Sequence, residues 1–101
     1  MSDRIARLLG LGLRAGDVVI GVAGVRATLQ RGGVRCVVLA ADATQRTREK
    51  VERLAVARGV PVVAGPRAEQ LGAGLGRPPV QAVGVKGVAL ARGVVASMEG
   101  E

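Results

Sequence analysis

The run Cys36, Val37, Val38, Leu39, inside the apolar stretch Val34 to Ala41, constrains this chain most. Four successive apolar residues show no alternation, so a strand here turns both faces away from water and needs helices on two sides. The flanking sequence supplies them. Ile5, Leu8 and Leu9 follow Ser2, a candidate N-cap, with helical spacing, and predict a helix from about Ser2 to Arg14 that Gly16 stops. A short strand, Val18 to Ile20, leads into a second helix, about Val22 to Arg31, stopped by Gly32 and Gly33. The central strand is expected over Arg35 to Ala41. A third helix follows over about Thr44 to Arg58, with Val51, Leu54 and Ala55 as its buried stripe. VPVVAG, Val60 to Gly65, reads as a strand, Arg67 to Gly74 as a fourth helix, Ala82 to Val85 as the last strand, and Val88 to Met98 as a final helix. Strands interleaved with helices predict an α/β fold: a three-layer α/β/α sandwich around a mostly four-stranded mixed sheet. The length of 101 residues allows one domain, 1–101, and an apolar fraction of 49% without Phe, Tyr or Trp makes its core aliphatic.

What is missing narrows the chemistry. Without histidine there is no Ser-His-Asp triad and no His-based zinc site, and one cysteine cannot build a zinc ribbon. Cys36 reads as a small buried hydrophobe. The carboxylates are scattered, and Glu49 and Glu52, amid Arg46, Arg48, Lys50 and Arg53, read as a solvated helix face. The chain is therefore not expected to be an enzyme. Gly10, Gly12 and Ala15 have the spacing of a dinucleotide fingerprint, but they lie within or at the end of a helix, where the motif must follow a strand and open a helix. LGAGLGRPP, Leu71 to Pro79, lacks the Gly-Lys-Ser/Thr ending of a phosphate loop. No cofactor and no metal are expected. No run of 18 apolar residues and no apolar leader occurs, so a cytoplasmic protein without membrane contact is expected.

The second helix points towards a ligand class. Its first turn carries Gly21 and Gly24 in place of a Ser, Thr, Asp or Asn cap, leaving its opening amides unfilled. An electropositive helix start without Cβ atoms lets a phosphate backbone approach, with Arg26 and Arg31 extending the positive end. The alternative is that the glycines merely permit a sharp strand-to-helix turn. Fifteen Lys plus Arg against eight Asp plus Glu give a net charge of +7, which suits a polyanionic partner. All of those cations but Lys50 and Lys86 are arginines, whose planar fork grips phosphate in two-pronged fashion. A GC-rich genome produces the same bias, so the charge carries the argument and the bias does not. Without aromatic residues, base stacking is excluded, and shape and phosphate contacts remain.

The order strand, Gly, helix, Arg-Gly turn, VVLAADA, long helix, GVPVV, LGAGLG, short loop, AVGV is similar, over nearly the whole chain, to the kink-turn-binding ribosomal-protein family, the L-seven-Ae family. Its small bacterial members of the YlxQ type are nearest. The segments that carry the resemblance are LLGLGLRAGDVVIG, RGGVRCVVLAADAT, GVPVV, and EQLGAGLG followed by AVGVKG. The resemblance implies RNA binding by the start of helix two, flanked by the loop after the central strand and the loop before the last one. The family signature G-x-N-E-x-x-K falls on Gly21, Val22, Ala23, Gly24 and, at its Lys, Ala27. Only Gly21 matches. Loss of two or three base contacts predicts kink-turn recognition weaker by about 3 to 6 kcal/mol. Arg26 stands one place before the missing Lys and is expected to reach phosphate in its stead. Arg14, Arg46 and Arg77 are expected to border the same face, with Asp42 in the loop after the central strand, and Gly76, Arg77, Pro78 and Pro79 stand in place of the apolar contact loop of the family. The expected partner is structured RNA, ribosomal or other non-coding, with the ribosome or a translation or transcription factor beside it, and the chain is expected to be a monomer. The alternative is a protein-interaction module that keeps the family fold and has lost kink-turn recognition.

Overall fold

The computed structural model describes residues 2–99, with side chains described for 4–97. The chain runs α1 (Ser2–Arg14), β1 (Val18–Ile20), α2 (Val22–Arg31), β2 (Cys36–Leu39), α3 (Gln45–Ala57), β3 (Val62–Ala64), α4 (Ala68–Gly74), β4 (Ala82–Val85) and α5 (Val88–Glu99). The expected Ser2 cap lies outside the described side chains. β2 is shorter than the expected Arg35 to Ala41, although single backbone bonds continue past each end, Arg35 N–H donating to the Val85 carbonyl (2.6 Å). Ala40 N–H donates to the Gln81 carbonyl (2.8 Å) and Ala41 N–H to the Pro66 carbonyl (2.9 Å), on either side of the strand.

The sheet order is β1-β4-β2-β3. β4 runs antiparallel to β1, pairing Val18 with Val85 and Ile20 with Val83, and antiparallel to β2, pairing Cys36 with Val85 and Leu39 with Ala82. β3 is parallel to β2, with Val37 opposite Val62 and Leu39 opposite Ala64. β1, β2 and β3 therefore point the same way. Their carboxyl ends emerge together, beside the start of β4. In open α/β sheets this is the end where ligands bind.

The four residues of β2 are all buried, and they alternate between two cores. Cys36 and Val38 pack with Ile5 and Leu9 of α1, Leu71 of α4, Val83 and Val85 of β4, and Ala91 and Val94 of α5. Val37 and Leu39 pack with Val25 and Leu29 of α2 and with Val51 and Ala55 of α3. Three helices thus cover one face and two the other, the sandwich that an unbroken apolar strand requires. Burial pushes the Cys36 thiol up to about 11, so it stays protonated at neutral pH, as a small hydrophobe does.

Candidate nucleic-acid interface

At the carboxyl end of β1 the chain turns sharply into α2. Gly21 adopts φ 96° and ψ 154°, a region that L side chains rarely enter. Its N–H donates to the Ala82 carbonyl (2.9 Å), and its carbonyl accepts the first helical bond from Val25 N–H (3.0 Å). No side chain caps the helix, and its first turn contains no acid. The opening N–H groups thus face the sheet end with the partial positive charge of a helix start. Ala23 is exposed there, and Val22, Gly24 and Ala27 are half-buried.

Gly24 corrects the expectation attached to it. A Cβ there would stand 2.8 Å from Val19 Cγ1, so its bareness serves close packing of α2 on β1, and not the approach of a phosphate. Arg31 also lies elsewhere: it sits in the last turn of α2 and donates to Thr28 Oγ1 (3.2 Å), which in turn donates to the Gly24 carbonyl (2.8 Å). It does not extend the positive start.

The loop after β2 is tied down by Asp42. Its Oδ1 accepts from Ala68 N–H at 2.7 Å, capping α4 from outside, and Oδ2 lies 3.7 Å from the Arg67 guanidinium. The Ala68 amide is the main cause that holds the Asp42 carboxyl below its ordinary value, with Arg67 adding to it. Thr44 caps α3 through its hydroxyl, which accepts from Thr47 N–H (3.2 Å), and its own N–H donates to Gln81 Oε1 (3.2 Å). The loop between α4 and β4 returns along α4. Arg77 N–H donates to the Gly72 carbonyl (2.8 Å) and Val80 N–H to the Ala68 carbonyl (3.0 Å), while Gly72 packs so closely that a Cβ there would land on the Pro78 carbonyl.

The sequence profile of the Ribosomal protein L7Ae/L30e/S12e/Gadd45 family matches residues 3–93. The chain belongs to this family. Among solved structures, a protein with unknown function from Bacillus halodurans superposes with a TM-score of 0.89 at 27% identity, over 98% of this chain and 99% of the other. The Giardia lamblia 15.5kD RNA binding protein superposes with a TM-score of 0.79 at 20% identity, over 98% of this chain and 88% of the other, a likeness of fold. No curated protein matches the chain in sequence.

In this member of the L7Ae/L30e/S12e/Gadd45 family, the topology gathers most of the expected residues at one end. Gly21, Val22, Ala23 and Gly24 open α2, and Asp42 and Arg46 lie between β2 and the first turn of α3. Arg26 and Ala27 follow on the next turn of α2. Arg26 is half-buried, and its Nε is shut off from water without a partner. Pro79 ends near the same face, whereas Gly76, Arg77 and Pro78 lie back along the carboxyl half of α4. Arg14 is not brought to this end. It closes α1 just before the turn at 15–17, where Lys86 N–H, beyond the far end of β4, donates to the Asp17 carbonyl (2.7 Å).

Three residues that shape the face carry little or no sequence signal. Thr44 had one, a threonine before a polar helical run. Arg67 and Gln81 had none, since each acts through a partner about 25 to 37 positions away in the chain. At the starts of α2 and α3 the electrostatics are one-sided. The first turn of α3 holds Arg46 and no acid, an unfavourable pairing of cation with a positive helix end that a bound anion relieves. Exposed Arg46 stands in the first turn of α3, which like that of α2 lacks an acid, whereas exposed Arg67 precedes α4, whose first turn holds Glu69, and lies beside Asp42. Among the described residues no cluster of metal-ligating side chains occurs, and no helix is long and apolar enough to cross a membrane.

Proposed function

We propose that this chain is a non-catalytic protein of the cytoplasm that binds structured RNA through the end of the sheet where α2 and α3 begin. The observation that carries the reading is the Gly21 turn. A member of a ribosomal-protein family presents there an uncapped helix start, at the same end of the sheet as Arg46 in the first turn of α3, where β1, β2 and β3 emerge. A protein of the same fold, from Giardia lamblia, is an RNA-binding protein by name. The contacts are to phosphate and shape, because Ala23, Gly24 and Ala27 offer no side-chain hydrogen bond to a base edge. The same three residues favour a second reading, a protein-interaction module that has kept the fold and lost RNA recognition.

Titration of a kink-turn RNA and a plain duplex of equal length separates the two. Both RNAs should bind, with less than about tenfold preference for the kink-turn, since base contacts of about 1 to 3 kcal/mol each are missing. Arg26→Ala should weaken binding about fivefold to tenfold. Arg53→Ala, on the exposed face of α3, should change it less than twofold. Arg58 is no control, because its guanidinium donates to the Gln30 carbonyl (2.6 Å) and joins α3 to α2. Absence of binding to either RNA at low salt would leave the protein-interaction reading standing.

A further inference from the structure

Arg14, displaced from the Gly21 face, belongs to a different surface. Arg4, Arg7, Leu11 and Arg14 recur at helical spacing along α1 and form one exposed stripe opposite buried Ile5 and Leu9. The stripe spans about 15 Å along the axis. Leu11 is 59% exposed in its middle. Beside it runs a groove of about 310 Å³ between α1 and α4, lined by Ala6, Arg7, Gly10, Leu11, Arg14 and Gly74. Its floor is backbone and methyl groups: Gly10 faces the Gly74 carbonyl, and Gly74 packs on Ala6. No side chain therefore keeps a large group out, while two guanidinium groups border it.

α1 joins β1 through the short turn at 15–17 and packs on it, so it folds back over the strand. Its amino-terminal half then lies towards the end of the sheet that carries Gly21. The arginines lead away from that face along the side of the molecule. A solvated amphipathic helix needs polar residues on its outer face, but it does not need arginine at each polar position along the stripe, nor a leucine left in water between them.

We propose that the α1–α4 groove is a second RNA-contacting surface, in which Arg4, Arg7 and Arg14 hold the phosphate backbone of a helical stem and Leu11 meets its sugars. The inference rests on the RNA-binding reading above, since the stem is one that leaves the Gly21 face. Guanidinium groups spaced along one helix match successive phosphates of one strand, and such contacts position an RNA without reading its sequence.

The test uses the full chain and two kink-turn RNAs, one with a flanking stem of a full helical turn and one with that stem cut to a third. Arg7→Gln with Arg14→Gln should lose about tenfold on the long-stem RNA and make the log-log salt slope shallower by about two, one for each phosphate contact. On the short-stem RNA it should equal the parent. Lys50→Gln with Arg53→Gln, on exposed α3, removes the same charge and should change neither. Equal affinity of the α1 variant and the parent for the long stem overturns this proposal while leaving the Gly21 reading in place, as does an equal loss in the α3 control, which would mean that net charge alone matters. A parent that binds neither RNA overturns both.

Discussion

Asp42 ties the loop after β2 to the start of α4, and its ionisation is linked to folding. Its carboxylate accepts the Ala68 amide and lies beside Arg67, both of which favour the charged form. The folded protein therefore holds the carboxyl below the value of 3.8 that it has in an open chain. A group depressed in this way contributes stability that is present above its unfolded value and is lost as pH falls through the folded one. The window lies below about pH 4. Far-UV circular dichroism, the available probe in a chain without aromatic residues, should show Asp42→Asn melting below the parent at pH 7. The gap should narrow as pH falls below 4. A constant gap would mean that the carboxylate acts by shape alone. Asp42 is thus a positioning residue: its negative charge would repel phosphate if it were not held on the start of α4.

Helices and strands were legible wherever a residue's neighbours in sequence decide its environment. β1, α2 and β4 keep their expected bounds, and α3, α4 and α5 differ by single residues at their ends, because apolar spacing and flanking glycines are local signals. The sharp Gly21 turn that opens α2 was legible for the same reason. The purpose of each residue in it was less so. Gly24 reads as an opening for a ligand until Val19, across a strand-to-helix turn, is seen 2.8 Å from where its Cβ would be. Arg14 and Gly21 lie close in sequence, yet β1 carries the chain between them from one end of the sheet to the other. Such facts depend on how helix and strand pack in three dimensions, which residue spacing alone does not encode.

The packing of Gly24 also decides how α2 can be redesigned. Ala23 is exposed and Ala27 half-buried, so Ala23→Asn with Ala27→Lys supplies two of the three family side chains without entering the core. This pair should raise kink-turn affinity at least tenfold, about 1.4 kcal/mol, with no gain on a plain duplex. Adding Gly24→Glu should lower stability by about 1 to 3 kcal/mol through overpacking against Val19, and Val19→Ala should recover part of that loss. Thermal melts and paired titrations measure both effects. A triple variant as stable as the parent would show that α2 rides further from β1 than 2.8 Å implies.

The whole molecule is small, with principal extents of 29 × 27 × 25 Å, and carries a net charge of +7. A charge of this size is spread over a surface whose dimensions exceed the Debye length of about 8 Å at physiological salt only a few times over, so an approaching polyanion feels several arginines at once. Specificity from base edges is weak at Ala23, Gly24 and Ala27, and stacking is impossible without Phe, Tyr or Trp. On the proposed reading, counterion release is left as the dominant source of affinity. With about four to six phosphate contacts shared between the Gly21 face and α1, the slope of log affinity against log salt should be about −3 to −5. The absence of aromatic residues makes the measurement simple, since absorbance at 260 nm reports RNA alone in sedimentation of the complex. The same property predicts that protein purified at low salt carries a nucleic-acid spectrum that a high-salt wash removes. A slope near zero, with binding intact, would mean that neutral hydrogen bonds or apolar contacts hold the RNA, and the arginines of both surfaces would lose the role assigned to them.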